Sequence, residues 1–92
     1  MKTKFESAIQ AAIRSELQGR GWLVAKCGAM SVNGWPDLVA IRGGRTVWIE
    51  VKRPGGVLSA IQMHRHNLMR KAGAEVYTVE GVGQVRALDG LR

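Results

Sequence analysis

The stretch GWPDLVAIRGGRTVWIEVK, Gly34 to Lys52, decides how this chain folds. Two runs suited to strands, 37–42 and 45–52, flank Gly43-Gly44, and Gly-Gly is among the favoured two-residue turns of a β-hairpin. A turn on those glycines fixes the register: Arg42 faces Arg45, and Asp37 falls opposite Glu50. Opposed residues share one face of a sheet, with Cβ atoms about 4.5–5.5 Å apart. Alternation adds Lys52 to that face and points Val51 to the other. A four-residue turn on the same centre preserves this register, whereas a three-residue turn separates the two carboxylates.

Two directly opposed carboxylates repel each other. In a partly dry cleft they raise each other's pKa or call for a cation. Magnesium is commonly held by one or two carboxylates together with waters and phosphate oxygens, which suits a pair this close. A lysine two residues on can orient an attacking water or meet phosphate charge. The plainer reading is an exposed Glu50–Lys52 ion pair, which contributes little. Against it, both hairpin faces look largely covered: Leu38, Ala40, Val47, Ile49 and Val51 share one, and Val39, Ile41 and Trp48 the other.

Working outward, residues 4–19 place Phe5, Ile9, Ile13 and Leu17, with Ala8 and Ala12, on one stripe of a helix. Thr3 and Glu6 fit a capping box at its start, and Gly19 and Gly21 stop it. Trp22 to Cys27 reads as a first strand, followed by a loop in which Trp35, before Pro36, is extended. After the hairpin, Arg53-Pro54-Gly55-Gly56 breaks the chain. Ser59 with Gln62 is a second capping box, opening a helix to about Ala72 whose expected buried stripe is Ile61, Leu68 and Ala72, with the aliphatic parts of His64 or Arg65 between. Glu75 to Val79 is a short strand, and a last helix is expected around Val82 to Leu88. The expected fold is α/β, in the order α-β-β-β-α-β, with a mixed sheet flanked by helices and a single domain over 1–92.

Fourteen Lys and Arg against seven Asp and Glu give a net charge of +7, a field that favours polyanions, nucleic acid above all. No apolar run approaches the roughly 20 residues of a membrane span, no helix pairs a basic face with a bulky aromatic one, and Glu6 and polar residues interrupt any signal-like start. Cys27 is the sole cysteine, so no internal disulfide is possible and a reducing cytoplasm is the expected setting.

Pro36-Asp37 followed by Glu50-Val51-Lys52 resembles the PD-(D/E)XK nuclease signature. With a glutamate-bearing helix before it, GWPDL entering the hairpin, EVKRPGGVLSAIQ leaving it and KAGAEVYTV after, the chain is similar to the VRR-NUC branch from about Phe5 to Val79. These are small nucleases of viral and phage replication and repair, similar in fold to Holliday junction resolvases, with a restriction-endonuclease-like core. The resemblance implies that Asp37 and Glu50 bind a catalytic Mg²⁺, for which Mn²⁺ substitutes, and that the Val51 carbonyl is a further ligand. It implies that Lys52 assists the nucleophilic water, that Glu6 lies near the metal directly or through water, and that Gln62 supports the site. It also implies a homodimer acting on branched DNA. Glu6 and Gln62 each have the alternative role of capping-box residue, and both roles stay open.

Phosphate contacts are expected from Lys52, Arg53, Arg65, Arg70 and Lys71, and the resemblance implies that Ser31 is a polar residue close to the site, on the DNA side. His64 and His66, two apart on a helix, point about 200° apart and do not readily share a metal; both are expected at the surface or in a cleft. Cys27 is read as a buried strand thiol, Trp22 and Trp48 as core, Trp35 as lining the site mouth or a dimer contact, and Glu16 as solvated or salt-bridged. Two functions follow: a metal-dependent DNA endonuclease, structure-directed because no reader element is visible, or a catalytically silent DNA-binding module of the same fold. The intact acid–acid–lysine set separates them, because a pure binder gains nothing from acids facing phosphate.

Overall fold

A computed structural model describes residues 4–28 and 30–90. The chain runs α1 (Lys4–Gly19), β1 (Leu23–Lys26), β2 (Leu38–Arg42), β3 (Arg45–Val51), α2 (Ala60–Lys71), β4 (Glu75–Val79) and α3 (Val82–Gly90). The strands form one mixed sheet in the order β1-β2-β3-β4. β1–β2 and β2–β3 are antiparallel, and β3–β4 is parallel, joined through α2. Among the described residues no helix is long and apolar enough to cross a membrane.

The hairpin has the expected register, with Arg42 opposite Arg45 and Leu38 opposite Ile49. Gly43 and Gly44 both have positive φ, 58° and 79°, as the tight turn matching strand twist requires. The opposed arginines both lie over Trp22, with Arg45 6.0 Å from its ring centroid. Arg45 takes both carboxylate oxygens of Glu75, at 2.9 and 2.7 Å. Arg42 lies 4.7 Å over the Trp22 ring and donates to the Arg20 carbonyl at 3.0 Å.

One sheet face carries the core. Leu38, Ala40, Val47, Ile49 and Val51 pack with Ile13 and Leu17 of α1, Trp22, Val79 and Val85 of α3. The opposite face is less covered than the sequence suggested: Ile41 is 42% exposed, and Val39 and Trp48 are half-buried. Its covered part lies under α2, near Glu50.

The apolar stripe expected on α1 is inward in part, with Ile13 and Leu17 in the core and Ile9 packed against it, whereas α2 turns a different face inward from the one its apolar residues predicted. In α1 the buried residues are Gln10, Ile13 and Leu17, while Phe5 is 58% exposed and Ala8 and Ala12 face solvent. Steps of three and four residues carry the inward line from Leu17 through Ile13 and Gln10 to Glu6. At 3.6 residues per turn, Phe5 and Ala12 sit roughly 100–120° off it. In α2 the buried residues are His66 and Met69, with Gln62 half-buried, whereas Ile61 and Leu68 are 48% and 42% exposed and Ala72 is exposed. The physical reason is shared. Each helix crosses a polar patch of the sheet as well as its apolar core, so polar residues occupy part of its inward line. The cap expected at Thr3 lies outside the described residues; the one at Ser59 is present in full.

Candidate active site

The end of the hairpin away from its turn is where the charged residues gather. Asp37 immediately precedes β2, at the position that continues the β2–β3 register opposite Glu50. Its Oδ2 accepts a hydrogen bond of 2.7 Å from the Val51 amide, so the side chain caps the ladder where β2 runs out. The loop leading to it is held at several points. The Cys27 amide donates to the Asp37 carbonyl at 2.8 Å, Pro36 is buried, and Trp35 packs edge-on against Trp48 at 5.4 Å between ring centroids. Arg65 Nε donates to the Asn33 carbonyl at 3.1 Å. Gly34 has φ +81°, and a Cβ there would lie 2.7 Å from the Ile61 carbonyl oxygen, so only glycine lets loop and α2 approach this closely.

Glu50 is 1% exposed, an expensive place for a carboxylate without compensating partners. Its Oε2 accepts from Gln62 Nε2 at 3.3 Å and lies 3.9 Å from Lys52 Nζ. Its Oε1 is 3.8 Å from Nε2 of His66. Gln62 combines the two roles left open by the sequence: its Oε1 accepts from the Ser59 amide at 2.9 Å, closing the capping box, while its Nε2 reaches Glu50. One amide therefore starts α2 and touches the buried acid. Val51, next along β3, turns a fully buried side chain into the core, and the Lys52 amide donates to the Val79 carbonyl at 2.9 Å.

His66 corrects the expectation of a surface or cleft histidine. Its side chain is 0% exposed, and both ring nitrogens are sealed from water with no geometrically satisfactory hydrogen bond. Burial holds its pKa below the ordinary histidine value, the Arg70 and Lys52 charges press the same way, and the Gly34 backbone and Asp37 oppose them. A buried polar group without a partner costs about 1–3 kcal/mol. The sequence clue to its place was its spacing: His66 lies one helical turn after Gln62.

Glu6, Lys52, Arg53, Gly55, Gly56 and Val57 line an open cleft of about 310 Å³. Glu6 is thus on the same cleft as Lys52, carried there by the inward face of α1. The groups that could hold a hard cation are oxygen donors: Asp37, Glu50 and the Val51 carbonyl, with Glu6 across the cleft. Among the described residues no three His, Cys, Asp or Glu side chains converge into a ready cage. Two carboxylates with a carbonyl and waters are nonetheless a normal magnesium arrangement, so the donor chemistry fits that ion.

The expected phosphate contacts divide. Arg53 is exposed on the cleft rim and Lys71 is exposed on α2. Arg65 is engaged with Asn33, and Arg70 is a structural clamp, donating twice to the Val76 carbonyl at 3.2 and 2.8 Å and to Asn67 at 3.2 Å. Ser31 is exposed on the loop and His64 on α2. Cys27 is only half-buried, one residue past β1; burial, then Asp37, pushes its thiol pKa up. Glu16 is salt-bridged as expected, to Arg20 at 2.7 Å and Arg86 at 3.2 Å.

No family model matches the sequence, and no curated protein matches it. Solved structures do. One described as a VRR_NUC domain superposes with a TM-score of 0.84 at 28% identity, over 96% of this chain and 97% of the other. A second, a VRR_NUC domain protein, gives 0.76 at 17% identity, over 99% and 89%. Hjc, a Holliday junction resolvase from the archaeal hyperthermophile Archaeoglobus fulgidus, gives 0.64 at 25% identity, over 82% and 62%. The chain has a VRR-NUC-like and Hjc-like nuclease fold, with a restriction-endonuclease-like mixed sheet flanked by helices.

Proposed function

We propose that this VRR-NUC-like chain is a single-domain, divalent-metal-dependent DNA endonuclease acting on branched or otherwise structured DNA. The observation that carries the reading is Glu50: a carboxylate sealed at 1% exposure, in register with Asp37, and met by Gln62 and Lys52. A structural ion pair has no reason to be placed there at such desolvation cost. A buried carboxylate with a specific charge partner, Lys52, on the wall of a cleft is a functional-site candidate on physical grounds.

In this reading Asp37, Glu50 and the Val51 carbonyl would hold Mg²⁺ or Mn²⁺, with Glu6 on the cleft that Lys52 lines; when bound, the cation would supply charge stabilisation at the phosphodiester. Lys52 orients the attacking water and meets the charge that develops on phosphorus-bound oxygen. Water adds to phosphorus and one P–O ester bond breaks, leaving a phosphate monoester and a hydroxyl end. Gln62 keeps the Glu50 carboxylate in place. Arg53 on the rim and the +7 net charge draw in the phosphate backbone, a contribution that carries no sequence information. The likeness to a Holliday junction resolvase supports the reading of structure-directed cutting. A homodimer would offer two such sites to two strands, and a role in viral or phage replication or repair is the setting the resemblance suggests.

The test is cleavage of labelled four-way junction, flap, single-stranded and duplex DNA, with Mg²⁺ or Mn²⁺ and with chelator. The reading expects metal-dependent cutting that prefers branched substrates and is lost in Asp37→Asn. Cutting that survives chelator, or that Asp37→Asn leaves intact, would overturn it. DNA binding without cutting under every condition would favour the catalytically silent module.

A further inference from the structure

We propose that His66 is a positioning residue for Glu50, its Nε2–H closing on Oε1 so that two residues one turn apart on α2 grip both oxygens of the carboxylate. This rests on the reading of Glu50 as a metal ligand.

The observations converge on the ring. His66 is fully buried and neither nitrogen has a hydrogen bond of good geometry, its polar neighbours being the Gly34 backbone and Glu50 Oε1. Buried polar side chains are nearly always satisfied, and the exceptions call for an explanation. Packing alone does not supply one, because an apolar side chain would fill the same space, as Met69 does one turn further on. Nε2 lies 3.8 Å from Oε1 of Glu50, too far for a hydrogen bond, and both atoms are buried. Gln62 makes a long contact of 3.3 Å to the other oxygen.

Both donors come from the same helix face, and Gln62 is itself locked to Ser59. Closing Nε2 on Oε1 to an ordinary hydrogen-bond distance of about 2.9 Å takes a movement of roughly 0.9 Å between the ring and the carboxylate. Hydrogen bonds at catalytic groups are often long in the free enzyme and tighten in the loaded state. Residues that orient a metal ligand from behind typically change metal affinity or activity by 10- to 100-fold when lost.

The experiment compares wild type, His66→Phe and His66→Gln by Mn²⁺ titration calorimetry without DNA, by kcat and KM on a cleaved DNA, and by thermal melting. His66→Phe should melt no lower than wild type, raise the Mn²⁺ Kd about tenfold or more, and lower kcat similarly, while KM for DNA stays within about twofold. His66→Gln, which keeps a donor, should recover most of both losses. Should the phenylalanine ring prevent folding, His66→Met reads the same question. An apolar variant with wild-type Mn²⁺ affinity and kcat, or a glutamine variant no better than the apolar one, overturns the inference and leaves the nuclease reading standing. Failure of the wild type itself to take up Mn²⁺ overturns both.

Discussion

Glu50 and Asp37 are adjacent in space but depend on different partners, and their neutral isosteres should separate accordingly. Asp37→Asn keeps an oxygen to accept from the Val51 amide, so the variant should fold and melt close to wild type while losing at least a hundredfold in cleavage rate. Glu50→Gln removes a charge from a site with 1% exposure. Neutralising a buried carboxylate relieves its desolvation penalty, so this variant should melt at or above wild type while failing to cut. A melting point several degrees below wild type would identify the charge as structural. Gly34→Ala acts through the backbone: the added Cβ meets the Ile61 carbonyl at 2.7 Å in a residue with φ +81°. A cost of about 1–3 kcal/mol is expected in chemical denaturation, with cleavage reduced because loop 30–36 can no longer hold Asp37 against α2.

At the scale of elements, α2 is both a structural crossover from β3 to β4 and the back wall of the site. Its N-terminal cap is part of that wall, because Gln62 serves Ser59 and Glu50 at once. Ser59→Ala should cost about 1 kcal/mol from the lost cap. The Ser59 amide that aims the Gln62 side chain survives in alanine, and only the hydroxyl that accepts from the Gln62 amide is lost, so cleavage by the folded variant should stay near wild type. A large loss of cleavage where the variant is folded would tie the Ser59 hydroxyl to the chemistry. The hairpin was legible from the sequence because Gly43-Gly44 dictates one turn, and the turn dictates which residues face each other. The β4 strand and the start of α2 were legible for similar local reasons. The polar part of the inward line of α1 and the inward face of α2 were not, since hydrophobic periodicity assumes an apolar floor. Under α2 that floor is Glu50, so His66 and Gln62 point in while Ile61 and Leu68 point out. At the N-terminal end of α1, Gln10 and Glu6 continue the line begun by Ile13 and Leu17. The polar exceptions lie beside the candidate site, which is where local rules are expected to yield to function.

For the whole molecule, charge sets two further expectations. DNA binding should weaken steeply with salt, and Arg53→Ala should reduce the slope of log affinity against log salt by about 1 if it meets a phosphate. Away from the cleft, Arg45, Glu75 and Tyr77 tie β3 to β4. Arg45, then Tyr77, lowers the Glu75 pKa below 4.5, while Glu75, then burial, raises the Tyr77 pKa above 10.0. The lowered carboxyl stabilises the fold above pH 4.5, and that contribution fades as pH falls through its folded value. The raised phenol stabilises it below pH 10, and that contribution fades as pH rises through its folded value. Glu75→Gln should flatten both ends of the stability–pH curve, read by denaturant melts across pH; an unchanged curve would exclude this cluster as the source. Light scattering should give twice the chain mass if two sites address a junction together.

The most direct measurement is an anomalous-difference map from a crystal soaked in Mn²⁺ at a concentration that supports cleavage. A peak bridging the Asp37 and Glu50 carboxylates, within about 2.0–2.2 Å of an oxygen of each, is the predicted result. Peaks elsewhere with none between those two side chains would contradict the account.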